Sequence, residues 1–249
     1  MANWNDPQPG TKHGGTGFGA SPSLNGEALA QGATYDMGLR KHMLGIYNYM
    51  ASGVLLSGIV ALLFANSGLA AQVLSTPLKW VIMLAPLGFI FAMNFNRSTA
   101  TLQILFWTFC AVMGLSLSSI FLVFTASSIA STFFATAGAF AGLSLYGYTT
   151  KKNLSGMGSF MVMGLIGIIV AMLINIFLQS SALQLAISIL GVVIFAGLTA
   201  YDTQRLRQEY YMLQGTEFAG KAIVLGALTL YLDFINMFQF LLSFLGNRE

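Results

Sequence analysis

Long apolar runs alternate with short polar segments along most of this sequence. A helix needs about 20 predominantly apolar residues to cross the hydrocarbon core of a bilayer. Seven runs approach or exceed that length, covering residues 46–66, 78–95, 101–124, 128–149, 158–178, 182–204 and 222–245. They lack the strict alternation that marks the strands of a membrane barrel. The pattern predicts an all-α integral membrane protein, a bundle of seven transmembrane helices.

The first 35 residues differ from the rest of the chain. Residues 1–35 are rich in Gly, Pro, Asn, Ser and Thr and have no apolar periodicity, which is typical of disordered segments. They also lack the basic and then apolar regions of a secretory signal. We therefore expect a disordered cytoplasmic tail at 1–35 and a seven-helix transmembrane domain at 36–249, entered through a short polar stretch at 36–45.

Composition strengthens the membrane assignment and excludes several kinds of site. The chain is 56% hydrophobic and 8% charged, whereas an average soluble domain is about 25% charged. Cys110 is the single cysteine and lies in an apolar run, and His13 and His42 are the only histidines, so a Cys/His metal cluster is excluded. The basic residues are scattered, which argues against nucleic acid as a partner. We expect no bound cofactor.

The basic residues also predict the orientation, because cytoplasmic loops carry an excess of Lys and Arg. Seven spans place nine basic residues on one side: Lys12, Arg40, Lys41, Arg97, Lys151, Lys152, Arg205, Arg207 and Lys221. Lys79 and Arg248 fall on the other side. We therefore expect the N-terminus in the cytoplasm. The charges alone do not distinguish seven spans from six spans with a re-entrant last segment. The 24-residue length of the last run favours a full span.

Small residues in two runs have the spacing of helix-packing motifs. Gly138 and Gly142 form a GxxxG motif, and Gly53 with Ser57 is a second pair of small residues four apart. Such positions let helix backbones approach closely. We interpret both pairs as packing contacts.

Carboxylates are scarce within the spans. Between residues 46 and 245 the acidic residues are Asp202, Glu209, Glu217 and Asp233. The two glutamates fall in the predicted connection between the sixth and seventh helices, where solvation accounts for them. Asp233 lies deep in the seventh helix, where a bare carboxylate costs at least about 2.5–3.5 kcal/mol.

Helical geometry gives both aspartates polar neighbours. At about 100° per residue, one face of the seventh predicted helix carries Gly226, Thr229, Asp233, Asn236 and Ser243. One face of the sixth carries Ser188, Gly191, Phe195, Thr199 and Asp202. Such stripes must face protein or a water-filled cavity rather than lipid. The seventh helix is therefore predicted to be interior.

If these two faces meet, the two carboxylates cannot both ionise at low cost, so they would share a proton and titrate near physiological pH. When ionised they offer hard oxygen ligands, which suit Ca²⁺. Two simpler interpretations stay open at this point. Asp202 ends its helix in a solvated turn beside Arg205, or Asp233 is a structural residue bonded to Thr and Ser hydroxyls.

Two stretches resemble a known family. The segments FAGLTAYDTQRLR (195–207) and LGALTLYLDFINMFQFLL (225–242) are similar to the Bax inhibitor-1 family, also called the transmembrane Bax inhibitor motif family. The resemblance extends from about residue 40 to 247 and is most specific in LYLDFIN. It implies a seven-helix bundle whose last helix is central, ringed by the other six.

The resemblance also implies a function, that of a pH-sensitive calcium-leak channel gated by a proton-sharing aspartate pair. Carried onto this sequence, the pair is Asp202 and Asp233, which would handle protons and bind permeating Ca²⁺ transiently. Thr229, Asn236 and Thr199 would support them as a polar face. We expect such a protein in a bacterial inner membrane, with the lipid bilayer, Ca²⁺ and protons as its partners.

Family members also have a basic residue near the end of the second helix, which pairs with the first aspartate in the closed form. Here Arg97 is the one basic candidate, and Asn94 stands where a bacterial relative has arginine. We expect Arg97 either to act as this latch or to be an anchor at the cytoplasmic face.

Other functions are weighed against the channel. Some bacterial relatives bind and inhibit a membrane-bound, ATP-dependent quality-control protease, and residues 1–35 would be the docking segment for such a role. An enzyme is not expected, because no nucleophile–base pair, HExxH or phosphate loop is found. The YD and GxGD motifs of membrane aspartyl proteases are only half matched. Tyr201-Asp202 is present, but Leu232-Asp233 lacks the flanking glycines. A proton-coupled transporter is disfavoured by the lack of a clear inverted repeat.

Overall fold

A computed structural model describes residues 24–93 and 97–247, with side chains described for 37–93 and 97–247. The chain divides into two compact units, residues 1–38 and 39–249, and the site lies in the second. Residues 1–23 lie outside the described residues, so their predicted disorder and the docking of the tail to a protease stay predictions. Residues 24–35, which we also expected to be disordered, are helical in the structure.

Across its described residues the chain is helical. The elements are α1 (Leu24–Asn66), α2 (Leu69–Leu74), α3 (Leu78–Ala92), α4 (Thr99–Leu117), a 3-10 turn (Ser118–Leu122), α5 (Ala126–Thr149), α6 (Ser155–Leu178), α7 (Ser181–Leu213) and α8 (Ala219–Leu245). Three of the long helices begin at a hydroxyl side chain that accepts a backbone N–H of the first turn, a favourable N-cap; the caps are Ser98, Thr125 and Ser180.

The prediction of an all-α membrane bundle is confirmed, but the number of full spans differs. Among the residues that the structure describes, six helices are long and apolar enough to cross a membrane. The second predicted run, 78–95, forms the helix α3, which has only 15 residues. At 1.5 Å per residue that helix is about 22 Å long, short of the about 30 Å hydrocarbon core.

Proline shapes the short helix α3. Pro86 lies inside it and has no N–H to donate, so the carbonyl of Ile82 loses its helical partner. The Ser116 hydroxyl of α4 donates to that carbonyl at 2.5 Å. Since an unpaired carbonyl is costly away from water, this bond ties α3 to α4.

The predicted connection at 205–221 is wrong over most of its length. The helix α7 continues to Leu213, so the connection to α8 spans only residues 214–218. Arg205, Arg207 and Glu209 are therefore helical. Hydropathy marks where the apolar stretch ends, whereas the backbone hydrogen bonds of a helix continue into a polar environment.

The last helix is the most enclosed of the six spans. In its most apolar stretch 61% of the residues are buried, against 6% for α6, and α8 packs on α4, α5 and α7. Ser57 of α1 joins the core through its hydroxyl, which bonds the Tyr231 hydroxyl of α8 at 2.6 Å and the Cys110 carbonyl of α4 at 2.7 Å. The interior position predicted for this helix is confirmed by its burial.

The two small-residue pairs have different outcomes. A Cβ added at Gly53 would press on Cys110 and Phe106, so packing at that pair is confirmed. At Gly138 and Gly142 an added Cβ would meet nothing within 4 Å. The packing role predicted for this GxxxG motif is therefore wrong within the described chain, because that side of α5 faces outward.

Gln204 of α7 anchors the α5–α6 connection. Its carboxamide accepts the Leu154 N–H and donates to the Lys152 carbonyl, each at 2.8 Å. Gln204→Ala is expected to destabilise the protein by about 1–3 kcal/mol, because a buried backbone group loses its partner. The melting temperature in detergent measures this. The exposed Gln208 offers the control Gln208→Ala; an equal loss in both variants would contradict the anchoring role.

Candidate functional site

The antiparallel pair α7 and α8 brings Asp202 and Asp233 together. Both side chains face inward, with relative exposures of 6% and 4%. Their carboxyl groups lie within hydrogen-bonding range of each other. Two carboxylates can make a hydrogen bond only when one of them carries a proton, so this arrangement suits a pair that shares one.

Asp202 has a second partner one turn along its own helix. The Arg205 guanidinium lies 2.9 Å from its carboxylate, and the Arg205 side chain is 47% exposed. The alternative in which Asp202 ends its helix in a solvated turn is wrong, since it is buried and α7 continues beyond it. The predicted neighbour Arg205 is nevertheless present.

Asp233 is less well satisfied. Among the described residues its Oδ2 atom is buried without a hydrogen-bond partner. The Thr229 hydroxyl bonds the Leu225 carbonyl at 3.2 Å, in its own helix. The described hydrogen bonds of Thr229 therefore do not support the interpretation of Asp233 as a carboxylate held by hydroxyls.

The other predicted polar residues are placed as follows. Thr229 and Asn236 line a cavity together with both aspartates. Asn236 donates to the Leu232 carbonyl of its own helix at 2.8 Å. Thr199 is fully buried and bonds the Phe195 carbonyl at 2.8 Å. The structure thus brings the two aspartates together with Thr229 and Asn236, whereas Thr199 belongs to the packing of α7.

The cavity beside the aspartates has a volume of about 1160 Å³ and is bounded by α3, α4, α6, α7 and α8. Along α8 its lining extends from Thr229 to Ser243. Fourteen helical residues rise about 21 Å, so the cavity follows much of the depth of a membrane. Asp202 and Asp233 lie toward one end of it, and Ser243 lies at the other.

Uncharged polar side chains form a cluster at the Ser243 end. The Ser243 hydroxyl is hydrogen-bonded to Ser188 at 3.0 Å and to Gln184 at 3.4 Å, and Asn175 of α6 donates to Gln184 at 3.2 Å. Sequence analysis singled out Ser188 and Ser243 but not Asn175 or Gln184. The signal for both was their position as amides within apolar runs.

An aromatic pair lies between the polar cluster and the aspartates. The rings of Phe195 and Phe240 stack with centroids 5.8 Å apart, and both residues line the cavity. The Phe240 ring occupies the space that a Cβ at Gly191 would need. Along α8 the cavity lining thus passes from the carboxylate of Asp233 through the amides of Asn236 and Gln239 to the aromatic pair and then to the Ser243 hydroxyl.

The predicted latch is not part of this arrangement as described. Arg97 is exposed in the segment before α4, and the ion pair of Asp202 within the described chain is with Arg205. Asn94 lies outside the described residues. The role of Arg97 therefore stays a prediction.

The site suits a passing cation better than a resident one. Over the described ranges, no group of three or more His, Cys, Asp or Glu side chains could hold a metal ion. In proteins Ca²⁺ is bound by about six to eight oxygen ligands. Two carboxylates supply only part of this coordination shell. Any cation here would keep much of its water.

Comparison with known proteins gives consistent matches along the chain. A family model described as "Inhibitor of apoptosis-promoting Bax1" matches residues 39–249. An uncharacterized protein of Caulobacter vibrioides is 50% identical, over 86% of this chain and 92% of that protein. The inner membrane protein YbhL of Escherichia coli is 47% identical, over 85% and 94%. An uncharacterized protein of Rickettsia prowazekii is 46% identical, over 87% and 93%.

Proposed function

The chain belongs to the Bax inhibitor-1 family, and from that premise we propose that it leaks Ca²⁺ across a bacterial inner membrane in a pH-dependent way. The observation that carries the proposal is the buried pair Asp202 and Asp233, at hydrogen-bonding range and at one end of a long cavity. The inner membrane is proposed because YbhL is described as an inner membrane protein.

The shared proton is the closing element. With one proton between them, Asp202 and Asp233 attract each other through a hydrogen bond and hold α7 against α8. When that proton leaves, two like charges about 4 Å apart repel by about 4 kcal/mol at an effective dielectric constant of about 20. Since each 1.36 kcal/mol is about a factor of ten, this repulsion shifts an equilibrium between closed and open arrangements by about a thousandfold.

Separation of α7 from α8 also creates the cation site. The ionised carboxylates of Asp202 and Asp233 then face the cavity. A Ca²⁺ ion enters the cavity past the neutral groups near Ser243 and neutralises the charge of the two carboxylates. Arg205 moderates this step, because its guanidinium already balances part of the charge on Asp202. Low affinity suits a leak, since an ion that binds too tightly does not leave.

Orientation follows from the basic residues. Arg205 and Arg207 follow Asp202 on α7, and Lys151 and Lys152 lie in the α5–α6 connection. The excess of Lys and Arg on this side supports a cytoplasmic location. The aspartate end of the cavity would then be its cytoplasmic end, and the Ser243 cluster would face outward.

The test is Ca²⁺ flux into proteoliposomes that contain the purified chain, measured with an enclosed calcium dye at several values between about pH 6 and 8. Flux is expected to rise with pH, because higher pH removes the shared proton. Protein-free liposomes give the background. No flux above that background would refute the leak, and a flux that requires an opposing proton gradient would indicate a transporter instead.

A further inference from the structure

A second cavity, of about 780 Å³, lies between α1 and α5. It shares no lining residue with the cavity beside the aspartates. On α1 the lining extends from Arg40 to Leu55, and on α5 from Phe133 to Tyr148. We call it the α1–α5 groove.

The α1–α5 groove suits an apolar chain along nearly all of its length. Its walls are mainly aliphatic and aromatic, and its two interior hydroxyls, those of Tyr47 and Ser144, already have partners within the protein. The Tyr47 hydroxyl bonds Ser144 at 2.6 Å, and Ser144 bonds Thr203 at 2.9 Å. Because these groups are satisfied, the interior of the groove has no need of a polar ligand.

The length of the groove matches one leaflet of a bilayer. Fifteen helical residues separate Arg40 from Leu55, which is a rise of about 22 Å. One leaflet contributes about 15 Å of the hydrocarbon core. The groove is therefore long enough for a whole acyl chain and for the start of its headgroup.

Charge is confined to one end of the groove. Arg40 is the single charged residue of its lining, and it lies near the start of the span Met37–Asn66. Its side chain is exposed, and among the described side chains no ion pair involves it. Tyr148 lines the same end, and tyrosine is typical of the membrane–water interface.

We propose that the α1–α5 groove binds one phospholipid with an anionic headgroup. An acyl chain lies between α1 and α5, and the headgroup phosphate pairs with the Arg40 guanidinium. Phosphate and guanidinium have matching geometry and opposite charge, and a headgroup without a choline cation leaves the whole phosphate charge to Arg40. The proposal is independent of ion flux, since it concerns a separate cavity.

The test uses protein reconstituted in bilayers of equal parts dioleoyl-phosphatidylglycerol and dioleoyl-phosphatidylcholine, then extracted into detergent and analysed by native mass spectrometry. The protein is expected to retain one phosphatidylglycerol in preference to phosphatidylcholine. In Arg40→Gln that preference is expected to fall about fivefold, the contribution of one cation at a membrane surface. Lys41→Gln removes the same charge one residue away, from a residue outside the groove lining, and is expected to retain the lipid.

Two substitutions by phenylalanine test whether an acyl chain lies in the α1–α5 groove. Ala141 lines it, whereas Ala139 is exposed elsewhere on α5. Ala141→Phe is expected to reduce retention of both phospholipids, and Ala139→Phe to leave it unchanged. Three results would overturn the proposal. The unmodified protein could retain the two phospholipids equally, or Arg40→Gln and Lys41→Gln could behave alike. The protein could also retain free oleate instead of phospholipid. Matching melting temperatures of the variants separate these outcomes from misfolding.

Discussion

Replacing Asp233 with asparagine is expected to lower the Ca²⁺ flux by about tenfold or more, since more than 1.36 kcal/mol of charge interaction is removed, and to flatten its dependence on pH. Asparagine has nearly the same shape but carries no charge and no titrating proton. It therefore can neither repel Asp202 nor attract the cation. The fold is expected to survive, with a melting temperature at least as high, because a neutral amide costs less to bury than a carboxylate.

Matched variants make this prediction specific. Glu217→Gln removes one negative charge from an exposed residue in the α7–α8 connection and is expected to leave the flux and its pH profile unchanged. Arg205→Gln keeps both carboxylates but removes the cation beside Asp202. Since that cation favours the ionised pair, its loss is expected to move the rise in flux to higher pH. An Asp233→Asn variant with unaltered flux and pH profile would refute the gating role of the pair.

Replacing Gly147 with alanine is expected to destabilise the protein strongly and to lower its yield. An added Cβ at Gly147 would overlap the backbone carbonyl of Ala200. A side chain can relieve an overlap by changing its rotamer, but backbone atoms cannot. The helices α5 and α7 would have to separate along their contact. Overpacking typically costs about 1–3 kcal/mol, and a backbone overlap lies at or above the top of that range. The yield of monodisperse protein after detergent extraction and its melting temperature report the effect.

Two glycines of the same helix provide the controls. Gly138→Ala and Gly142→Ala place a methyl group where nothing lies within 4 Å. Each is expected to have a melting temperature at or slightly above that of the unmodified protein, because alanine is the better helix former by about 1 kcal/mol. If all three substitutions behave alike, the close approach of α5 to α7 at Gly147 is refuted.

The part of the site that sequence reasoning predicted depends on one strong constraint. Lipid offers no partner for a carboxylate, so the polar faces of the two helices that carry Asp202 and Asp233 had to turn inward. The two helices are also consecutive and antiparallel, so the two faces could meet. The connection predicted between them, 205–221, was too long; the structure joins them by residues 214–218. Sequence reasoning also offered Arg205 as a neighbour of Asp202, but only at a solvated helix end. It missed that α7 continues as a helix beyond its apolar stretch and that Asp202 is buried.

The errors have a different physical origin. Apolarity reports affinity for lipid, and it does not report helix length; the run 78–95 is apolar, yet its helix ends at Ala92. Likewise a GxxxG spacing indicates that a close approach is sterically possible, but not that a partner helix is there. The glycine that does permit close approach on α5, Gly147, has no second glycine four residues away and so matched no motif.

The enclosed position of α8 has a consequence for the order in which the bundle is assembled. A chain enters the membrane from its N-terminal side as it is synthesised, so α1 to α7 are made before α8. Until α8 arrives, Ser57 lacks the Tyr231 hydroxyl and Asp202 lacks its carboxyl partner. The short connection at 214–218 keeps α8 beside α7, so the two can insert as a hairpin whose polar faces cover each other. Assembly is thus completed by the enclosed helix α8, which enters after the helices α4, α5 and α7 on which it packs.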